Sequence, residues 1–355
     1  MTEKLQIPSL LDCTLRDGSY AINFQFTFED TRALCKALED VGVEWIEVGH
    51  GVGLCASQRG YGDAAETDVA YMEAAASVLN RANWGVFCIP GIATVEALKE
   101  AIDHGIRFVR IGVNSESYRE VRPFVELARK HDLLTCVNFM KSYTCSPKDF
   151  AWYAKEAEAY GVDLVYLVDS AGGMLPEQVT NYVEAVRARS NSLRLGFHGH
   201  NNLGLGVANA LRAVELGVEF IDVSLQGLGR SAGNTCSEQF VCALMRKGID
   251  LNIDPIALID IAERHIRLLQ TGGGVDSLDV ISGLALFHSS YMGIIEKYAL
   301  KYRVDPRALI VAVCEIDQAN APEDMVEAQA ARLAGAGKHG AWKALYKHYY
   351  GKEQQ

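Results

Sequence analysis

Eight short runs of apolar and β-branched residues recur along this chain, and each is followed by a segment with helical spacing of its apolar residues. In 29–41, for example, Leu34, Leu38 and Val41 fall on one helical face. Strands that alternate with helices pair in parallel, and eight such units close into a barrel. The sequence therefore predicts a (β/α)₈ TIM barrel, with strands at approximately 10–15, 45–50, 85–90, 108–113, 134–139, 164–169, 193–200 and 220–225. Further helices are expected at 94–104, 116–131, 147–160 and 203–216.

The length of the chain exceeds that of one barrel. A TIM barrel takes about 250 residues, so the 355 residues here leave room for a C-terminal helical extension. The barrel pattern ends between Gly248 and Pro255, and we expect a catalytic barrel over 1–250 and a helical domain over 251–355. The last stretch, 338–350, is aromatic and basic, and we expect it to pack within the protein or bind a neighbouring subunit of a homo-oligomer.

Charge and cysteine usage exclude several function classes. The net charge is −11 and basic residues form no long run, which argues against nucleic acid or an anionic membrane as a partner. No apolar run reaches 18 residues, and the start lacks the apolar region of a signal peptide. The nine cysteines form no C-x-x-C pair, which is typical of a reducing compartment. We therefore expect a cytoplasmic protein.

Two histidines spaced as i and i+2 are the first candidate for chemistry. His198 and His200 end the seventh apolar run, and this spacing on a strand points both side chains to one face. Asp17, beside Arg16, follows the first run and could complete a site with two nitrogens and one oxygen for a divalent ion. Taken alone, the histidines also fit an ordinary polar pair and Arg16 with Asp17 a local ion pair.

The position of these residues in the predicted barrel favours a metal site. Catalytic groups of such barrels lie at the carboxyl ends of the strands, where the βα loops meet. His50, Asn138 and Ser170 belong to runs two, five and six, and with Asp17 and the two histidines they are expected near one mouth of the barrel. The sequence thus indicates a metal-dependent enzyme.

Several longer motifs resemble one enzyme family. The segments 12–18, 46–51, 169–174, 198–209 and 227–234 are similar to those of the 4-hydroxy-2-oxovalerate aldolases, within the metallolyase superfamily of hydroxymethylglutaryl-CoA lyase and isopropylmalate synthase. The likeness runs from near residue 8 to about residue 330. It implies a divalent-metal-dependent aldolase that cleaves or forms a 4-hydroxy-2-oxo acid through a pyruvate enolate, with pyruvate and an aldehyde as partners.

The metal-binding chemistry agrees with this resemblance. A 2-oxo acid chelates a divalent cation through carboxylate and keto oxygens, and the metal stabilises the enolate as a Lewis acid. Asp17, His198 and His200 are the expected ligands, and this set suits Mn²⁺, Mg²⁺, Co²⁺ or Zn²⁺. The resemblance favours Mn²⁺. It also places Asn234 near the metal, because related lyases use an asparagine of this glycine-rich loop as a ligand.

Other side chains are expected around the substrate. Arg16 can donate to the enolate or carboxylate oxygens with a forked, permanent charge. Ser170 resembles the donor to the pyruvate carboxylate, although a helix N-cap is the alternative. His50 either contacts the substrate or has a structural role, and Asn138 is a weaker candidate for substrate binding.

One departure from the family concerns the general base. The aldolases carry a histidine two residues after Arg-Asp-Gly that deprotonates the C4 hydroxyl, whereas this chain has Tyr20, and a phenol is a poor base at neutral pH. Conversely, His288 stands where the family has a tyrosine. One hypothesis is that the two groups have exchanged roles; the other is that His288 is an ordinary polar residue and the chemistry has changed. Either leaves the substrate open.

Two other classes remain. A Claisen-type acyl-CoA synthase shares the barrel and the paired histidines, but its motifs differ at Ser19, Tyr20 and Asn202. A catalytically silent metal-binding partner of another enzyme is the second alternative. An acylating aldehyde dehydrogenase, which commonly accompanies these aldolases, is an expected partner on the resemblance alone.

Overall fold

Eight parallel strands form a closed barrel in sequence order, as the sequence predicts. The computed structural model describes residues 7–269 and 276–336. β1 pairs with both β2 and β8, which closes the barrel through the register of Leu11 with Asp222. The strands are β1 (Ser9–Asp12), β2 (Trp45–Glu47), β3 (Asn83–Cys88), β4 (Phe108–Asn114), β5 (Leu134–Met140), β6 (Leu164–Asp169), β7 (Arg194–Gly199) and β8 (Phe220–Val223).

One α-helix follows each strand and buries an apolar face. Side-chain caps fix several helix starts; Thr27 and Asp30, for instance, form a reciprocal capping box at the first helix. The helices of the barrel are α1 (Phe28–Val41), α2 (Asp68–Ala76), α3 (Val95–Asp103), α4 (Arg122–Lys130), α5 (Pro147–Glu158), α6 (Pro176–Arg187), α7 (Gly206–Glu215) and α8 (Ser237–Arg246).

The helix expected over 116–131 is divided in two. A 3₁₀ segment occupies Ser115–Val121, and α4 begins only at Arg122, with Pro123 in its first turn. Proline favours the start of an α-helix because it lacks the N–H that an interior position needs. The expected segment is therefore helical, and Pro123 sets the point at which its α-helical part begins.

Glu39 of α1 binds the backbone of the loop that connects α2 to β3. Its Oε1 accepts backbone N–H bonds from Asn80, Arg81 and Ala82 at 2.8, 2.6 and 2.9 Å. Burial alone raises the pKa of this carboxyl, but the three donors outweigh it and hold the pKa below its usual value. One carboxylate thus fixes three successive residues of the outer wall.

Contacts divide the chain into two compact units, Met1–Gly273 and Gly274–Gln355. A further helix, α9 (Pro255–His265), packs against α1 and α8 within the first unit. The domain boundary at 250/251 remains a prediction.

The second unit is helical and has its own apolar core. Its helices are α10 (Ser277–Ala285), α11 (Met292–Tyr302), α12 (Pro306–Cys314) and α13 (Glu323–Gly335). The core includes Ile295, Leu309, Val313 and Val326, each fully buried. The aromatic and basic stretch 338–350 lies outside the described residues.

No single helix in residues 7–269 and 276–336 has the length and apolar composition needed to cross a membrane. The segments Ser277–Ala285 and Ser289–Tyr302 meet that test only as a pair, bent by 120°.

Candidate metal centre and active site

Three buried side chains converge at the carboxyl ends of β1 and β7. Asp17 begins a 3₁₀ helix shortly after β1, His198 lies in β7, and His200 follows that strand. One ligand atom from each lies within 4.8 Å of the others, and the two Nε2 atoms are 3.4 Å apart. The fold therefore brings the three expected ligands together.

Asp222 of β8 orients the first histidine. Its Oδ2 lies 2.8 Å from Nδ1 of His198, so the ring can donate from Nδ1 and keep an electron pair on Nε2, which faces His200. Burial lowers the pKa of His200 to about 3, which keeps that imidazole neutral, the form that binds cations. Both rings thus meet the chemical requirement for metal ligands.

Asp17 is held as a carboxylate by its neighbours. Arg16 Nη1 donates to its Oδ1 at 2.7 Å, and Asn234 Nδ2 donates to its Oδ2 at 2.9 Å. Burial opposes ionisation, but the charge of Arg16 keeps the pKa of Asp17 well below its usual range. The amide oxygen of Asn234 is buried and accepts no hydrogen bond from the described residues. Two imidazoles, a carboxylate and this spare oxygen are a donor set that fits a divalent cation.

Arg16 is pinned between two carboxylates. Its Nε donates to Glu47 Oε2 at 2.6 Å, in addition to the bond to Asp17, and its guanidinium carbon lies 4.5 Å from the centre of the Phe87 ring. Although burial opposes the charge, these carboxylates raise the pKa of Arg16 above its usual value. A guanidinium group with a permanent charge and a fixed orientation therefore lies beside the candidate metal ligands.

A buried charge network inside the barrel joins these groups. Arg110 of β4 has no exposed surface and donates to Glu47 at 3.1 Å, to Asn138 at 3.2 Å and to Asp222. Because Glu47 also binds Arg16 and Asp222 also binds His198, the network connects the arginine and the metal centre from below. Sequence reasoning did not single out Arg110 or Asp222. Their signal was a charged residue inside an otherwise apolar strand.

Ser170 lies at the carboxyl end of β6, where it is buried. Its Oγ accepts the backbone N–H of Lys141 at 3.0 Å. The neighbouring Asp169 accepts backbone N–H bonds from Gly173 at 3.1 Å and Met174 at 2.9 Å, while burial raises its pKa to about 6. These bonds fix the turn that presents Ser170 at the mouth.

His50 is held by hydrogen bonds at both ring nitrogens. Nδ1 accepts the N–H of Val52 at 3.0 Å, Nε2 lies 3.1 Å from the carbonyl of Gly62, and the ring stacks on Phe24 with centroids 3.9 Å apart. Burial lowers its pKa. This geometry favours the structural alternative for His50, and Asn138 is likewise engaged with Arg110.

Tyr20 and His288 belong to different units. Tyr20 lies in the 3₁₀ helix that begins at Asp17, and burial raises the pKa of its phenol. His288 caps a 3₁₀ turn of the second unit, with Nδ1 2.7 Å from Ser290 Oγ. The exchange of base and phenol stays a prediction.

The family model HMGL-like matches residues 7–264. The chain belongs to the HMGL-like family. Within it, 4-hydroxy-2-oxovalerate aldolase 2 of Nocardia farcinica is 39% identical over 336 residues, which cover 94% of this chain and 97% of that protein. The oxaloacetate decarboxylase of Mycobacterium tuberculosis is 42% identical over 264 residues, covering 74% and 77%.

A solved structure shares the fold. Hydroxymethylglutaryl-CoA lyase from Pseudomonas aeruginosa superposes with a TM-score of 0.65 and 21% identity, covering 79% of this chain and 98% of the lyase chain. With its aldolase relatives, this HMGL-like protein is an enzyme, a carbon–carbon lyase. The family depends on divalent metals, and Asp17, His198 and His200 form the candidate site.

Proposed function

We propose that the protein is a class II aldolase that cleaves or forms a 4-hydroxy-2-oxo acid through the enolate of pyruvate. The observation that carries the proposal is the buried set of Asp17, His198 and His200, with Arg16 donating to Asp17 at 2.7 Å. A Claisen-type synthase would share the metal set. The identity of 39% with an aldolase along 94% of the chain supports the aldol reaction instead.

Each side chain has a defined task in this reaction. A divalent metal held by Asp17, His198 and His200 supplies Lewis-acid stabilisation of the developing negative charge; we propose Mn²⁺. Arg16 donates to the enolate or carboxylate oxygens of the substrate. Its two carboxylate partners, Asp17 and Glu47, fix the guanidinium before the substrate arrives. Ser170 orients the C1 carboxylate of the 2-oxo acid.

Cleavage also requires a proton to leave. The C4 hydroxyl loses its proton and becomes a carbonyl, the C3–C4 bond breaks, and its electron pair stays on C3 as the enolate, which is later protonated to pyruvate. From the sequence alone we propose that His288 is the base and that Tyr20 positions the hydroxyl; the raised pKa of Tyr20 makes the phenol unsuitable as a base.

Decarboxylation is the second candidate function. Loss of CO₂ from C4 of a 2-oxo diacid breaks the same C3–C4 bond and gives the same enolate, but no hydroxyl proton has to be removed. Tyr20, standing where the aldolases have a histidine, favours this alternative, as does the identity of 42% with an oxaloacetate decarboxylase.

Metal-dependent exchange of deuterium into the methyl group of pyruvate tests the enolate without any knowledge of the aldehyde. We expect exchange with Mn²⁺ that chelator abolishes, and neither metal binding nor exchange in His200→Ala. Absence of exchange in the metal-loaded protein would refute the proposal. Cleavage of 4-hydroxy-2-oxovalerate and decarboxylation of oxaloacetate, measured on the same sample, then separate the two candidates.

We further propose a homo-oligomer that binds an acylating aldehyde dehydrogenase subunit, on the resemblance to the aldolases. Light scattering of the purified chain, alone and with such a dehydrogenase, measures both associations.

A further inference from the structure

Arg230 lies in the glycine-rich loop between β8 and α8, beside the metal centre. Its guanidinium carbon is 4.8 Å from the centre of the Tyr20 ring. Tyr20 lies in the 3₁₀ helix that begins at Asp17, and Asn234 of the same loop as Arg230 donates to Asp17 at 2.9 Å. Neither the metal-binding role nor the proposed chemistry uses Arg230.

The loop holds the backbone of Arg230 in place. Its carbonyl accepts the N–H of Gly233 at 3.0 Å, and the hydroxyl of the next residue, Ser231, accepts from Asn202 Nδ2 at 2.7 Å. Ser231 has a φ of +58°, a left-handed conformation that a non-glycine residue adopts at some cost. A side chain supported in this way is preorganised for a contact.

The guanidinium nevertheless has no anionic partner in the part of the chain that the structure describes. Its Nε is buried and makes no hydrogen bond there. The two other arginines of the site differ, because Arg16 contacts Asp17 and Glu47 while Arg110 contacts Glu47 and Asp222. Burying a donor of a charged group without a partner is costly, so this arrangement is best explained by an anion that arrives with the substrate.

Electrostatic repulsion strengthens this argument. A divalent cation between Asp17 and the histidines would repel a guanidinium that lies against Tyr20 at the same mouth of the barrel. An anion that contacts Arg230 would relieve the repulsion. The C1 carboxylate of the substrate is one such anion, and a second carboxylate elsewhere on the substrate is the other.

The order of the strands favours the second carboxylate. Ser170 follows β6 and Arg230 follows β8, so β7, which carries His198, lies between them. The two residues therefore stand on either side of this candidate ligand at the mouth of the barrel. If Ser170 binds the C1 carboxylate, Arg230 is left for a second carboxylate of the substrate.

We propose that Arg230 is a specificity-determining residue that binds a carboxylate on C4 of the substrate, so that the enzyme acts on dicarboxylic 4-hydroxy-2-oxo acids. This inference rests on the proposed aldol function and on the role given to Ser170. The carboxylate stays on the released oxo product, and C3–C4 cleavage proceeds as above. A contact to a carboxylate that leaves as CO₂ would stabilise the ground state more than the transition state, which is why the aldol substrate fits this cation better.

A pair of isosteric substrates tests the proposal. 4-Hydroxy-2-oxoglutarate and 4-hydroxy-2-oxovalerate differ only in a carboxylate in place of a methyl group on C4. We expect the native enzyme to favour the dicarboxylate, and Arg230→Gln to lower kcat/KM for it by about 10- to 100-fold, the usual range for a charged hydrogen bond. The loss of kcat/KM for 4-hydroxy-2-oxovalerate, which lacks this carboxylate, should be clearly smaller. An equal loss on both substrates would overturn the proposal and assign Arg230 to the C1 carboxylate or to folding.

Arg194→Gln is the matched control. Arg194 also lies over an aromatic ring, 5.4 Å from the centre of Phe220, but it stands at the amino end of β7 and is paired with Glu219. We expect the same substrate preference as in the native enzyme. Arg230→Lys should retain more of the preference for the dicarboxylate than Arg230→Gln does, because lysine keeps the charge but lacks the planar guanidinium.

Binding separates failure of this proposal from failure of the aldolase function. Calorimetry of the Mn²⁺-loaded protein compares 2-oxoglutarate with 2-oxopentanoate, which differ in a terminal carboxylate and need no cleavage. We expect tighter binding of 2-oxoglutarate that Arg230→Gln abolishes, even if neither hydroxy acid is cleaved. Equal affinity for the two acids in the native protein would overturn the carboxylate site whatever the activity.

Discussion

Removal of the charge of Asp222 should weaken metal binding although Asp222 is not a candidate ligand. Its Oδ2 holds Nδ1 of His198 at 2.8 Å and also accepts from Arg110, and both contacts are buried. Partners of this kind orient the histidine, and their mutation typically lowers metal affinity by about 10- to 100-fold. An asparagine can still accept from Nδ1, so we expect about 10-fold for Asp222→Asn and about 100-fold for Asp222→Ala.

The same change should destabilise the metal-free protein. Breaking a buried ion pair costs about 3–5 kcal/mol when one charge is left alone. Arg110 keeps Glu47 and Asn138, so we expect a smaller loss, about 2–3 kcal/mol. Chelator competition measures the affinity and urea unfolding of metal-free protein measures the stability.

A surface pair provides the control for this prediction. Asp40 pairs with Lys36 on α1 and its side chain is 52% exposed, so Asp40→Asn should change the free energy of unfolding by less than about 0.5 kcal/mol and leave metal affinity unchanged. If Asp222→Ala binds the metal within twofold of the native protein, Asp222 does not orient His198 in the way we infer.

Three further changes test other parts of the molecule. Arg16→Lys should retain the metal but reduce turnover of 2-oxo acids about 100- to 1000-fold, since a point charge cannot replace the fork; near-native turnover would remove Arg16 from the transition state. His288→Ala should abolish aldol cleavage, while Tyr20→Phe should be milder; a normal rate in His288→Ala contradicts the exchange. Glu39→Gln should lower the free energy of unfolding by about 2 kcal/mol at neutral pH. Because the folded pKa of Glu39 is depressed, its contribution is complete above the unfolded pKa, about 4.5, and is lost as the pH falls through the folded value, so urea unfolding of the two proteins should converge in acid.

Periodicity predicted the barrel closely. β6 was expected over 164–169 and occupies Leu164–Asp169, because both faces of this strand are buried and its apolar run ends where the strand does. β1 stops at Asp12, short of the expected residue 15, because the Asp12 carboxylate accepts the N–H and hydroxyl of Thr14 and turns the chain away. Local hydrogen bonds of this kind are not visible in a hydrophobic pattern.

The candidate metal ligands were predictable from the sequence, whereas the residues that support them were not. His198, His200 and Asp17 follow apolar runs, so the position of strand ends was enough to bring them together. Arg110 and Asp222 lie within strands, and their partners depend on which strands are neighbours across the barrel interior. Arg230 was missed because loop geometry, and not the pattern of the sequence, brings it onto Tyr20.

The ion network within the barrel also limits how such an enzyme can change over evolutionary time. Arg110 shares Glu47 with Arg16 and Asp222 with His198, so a substitution at any one of these positions removes part of the compensation of another buried group. Tolerated variants at these sites would have to arise in pairs, which is rare. Single substitutions in the βα loops carry no such penalty. New substrate preferences should therefore arise by changes at the rim, while the arrangement beneath it is inherited intact.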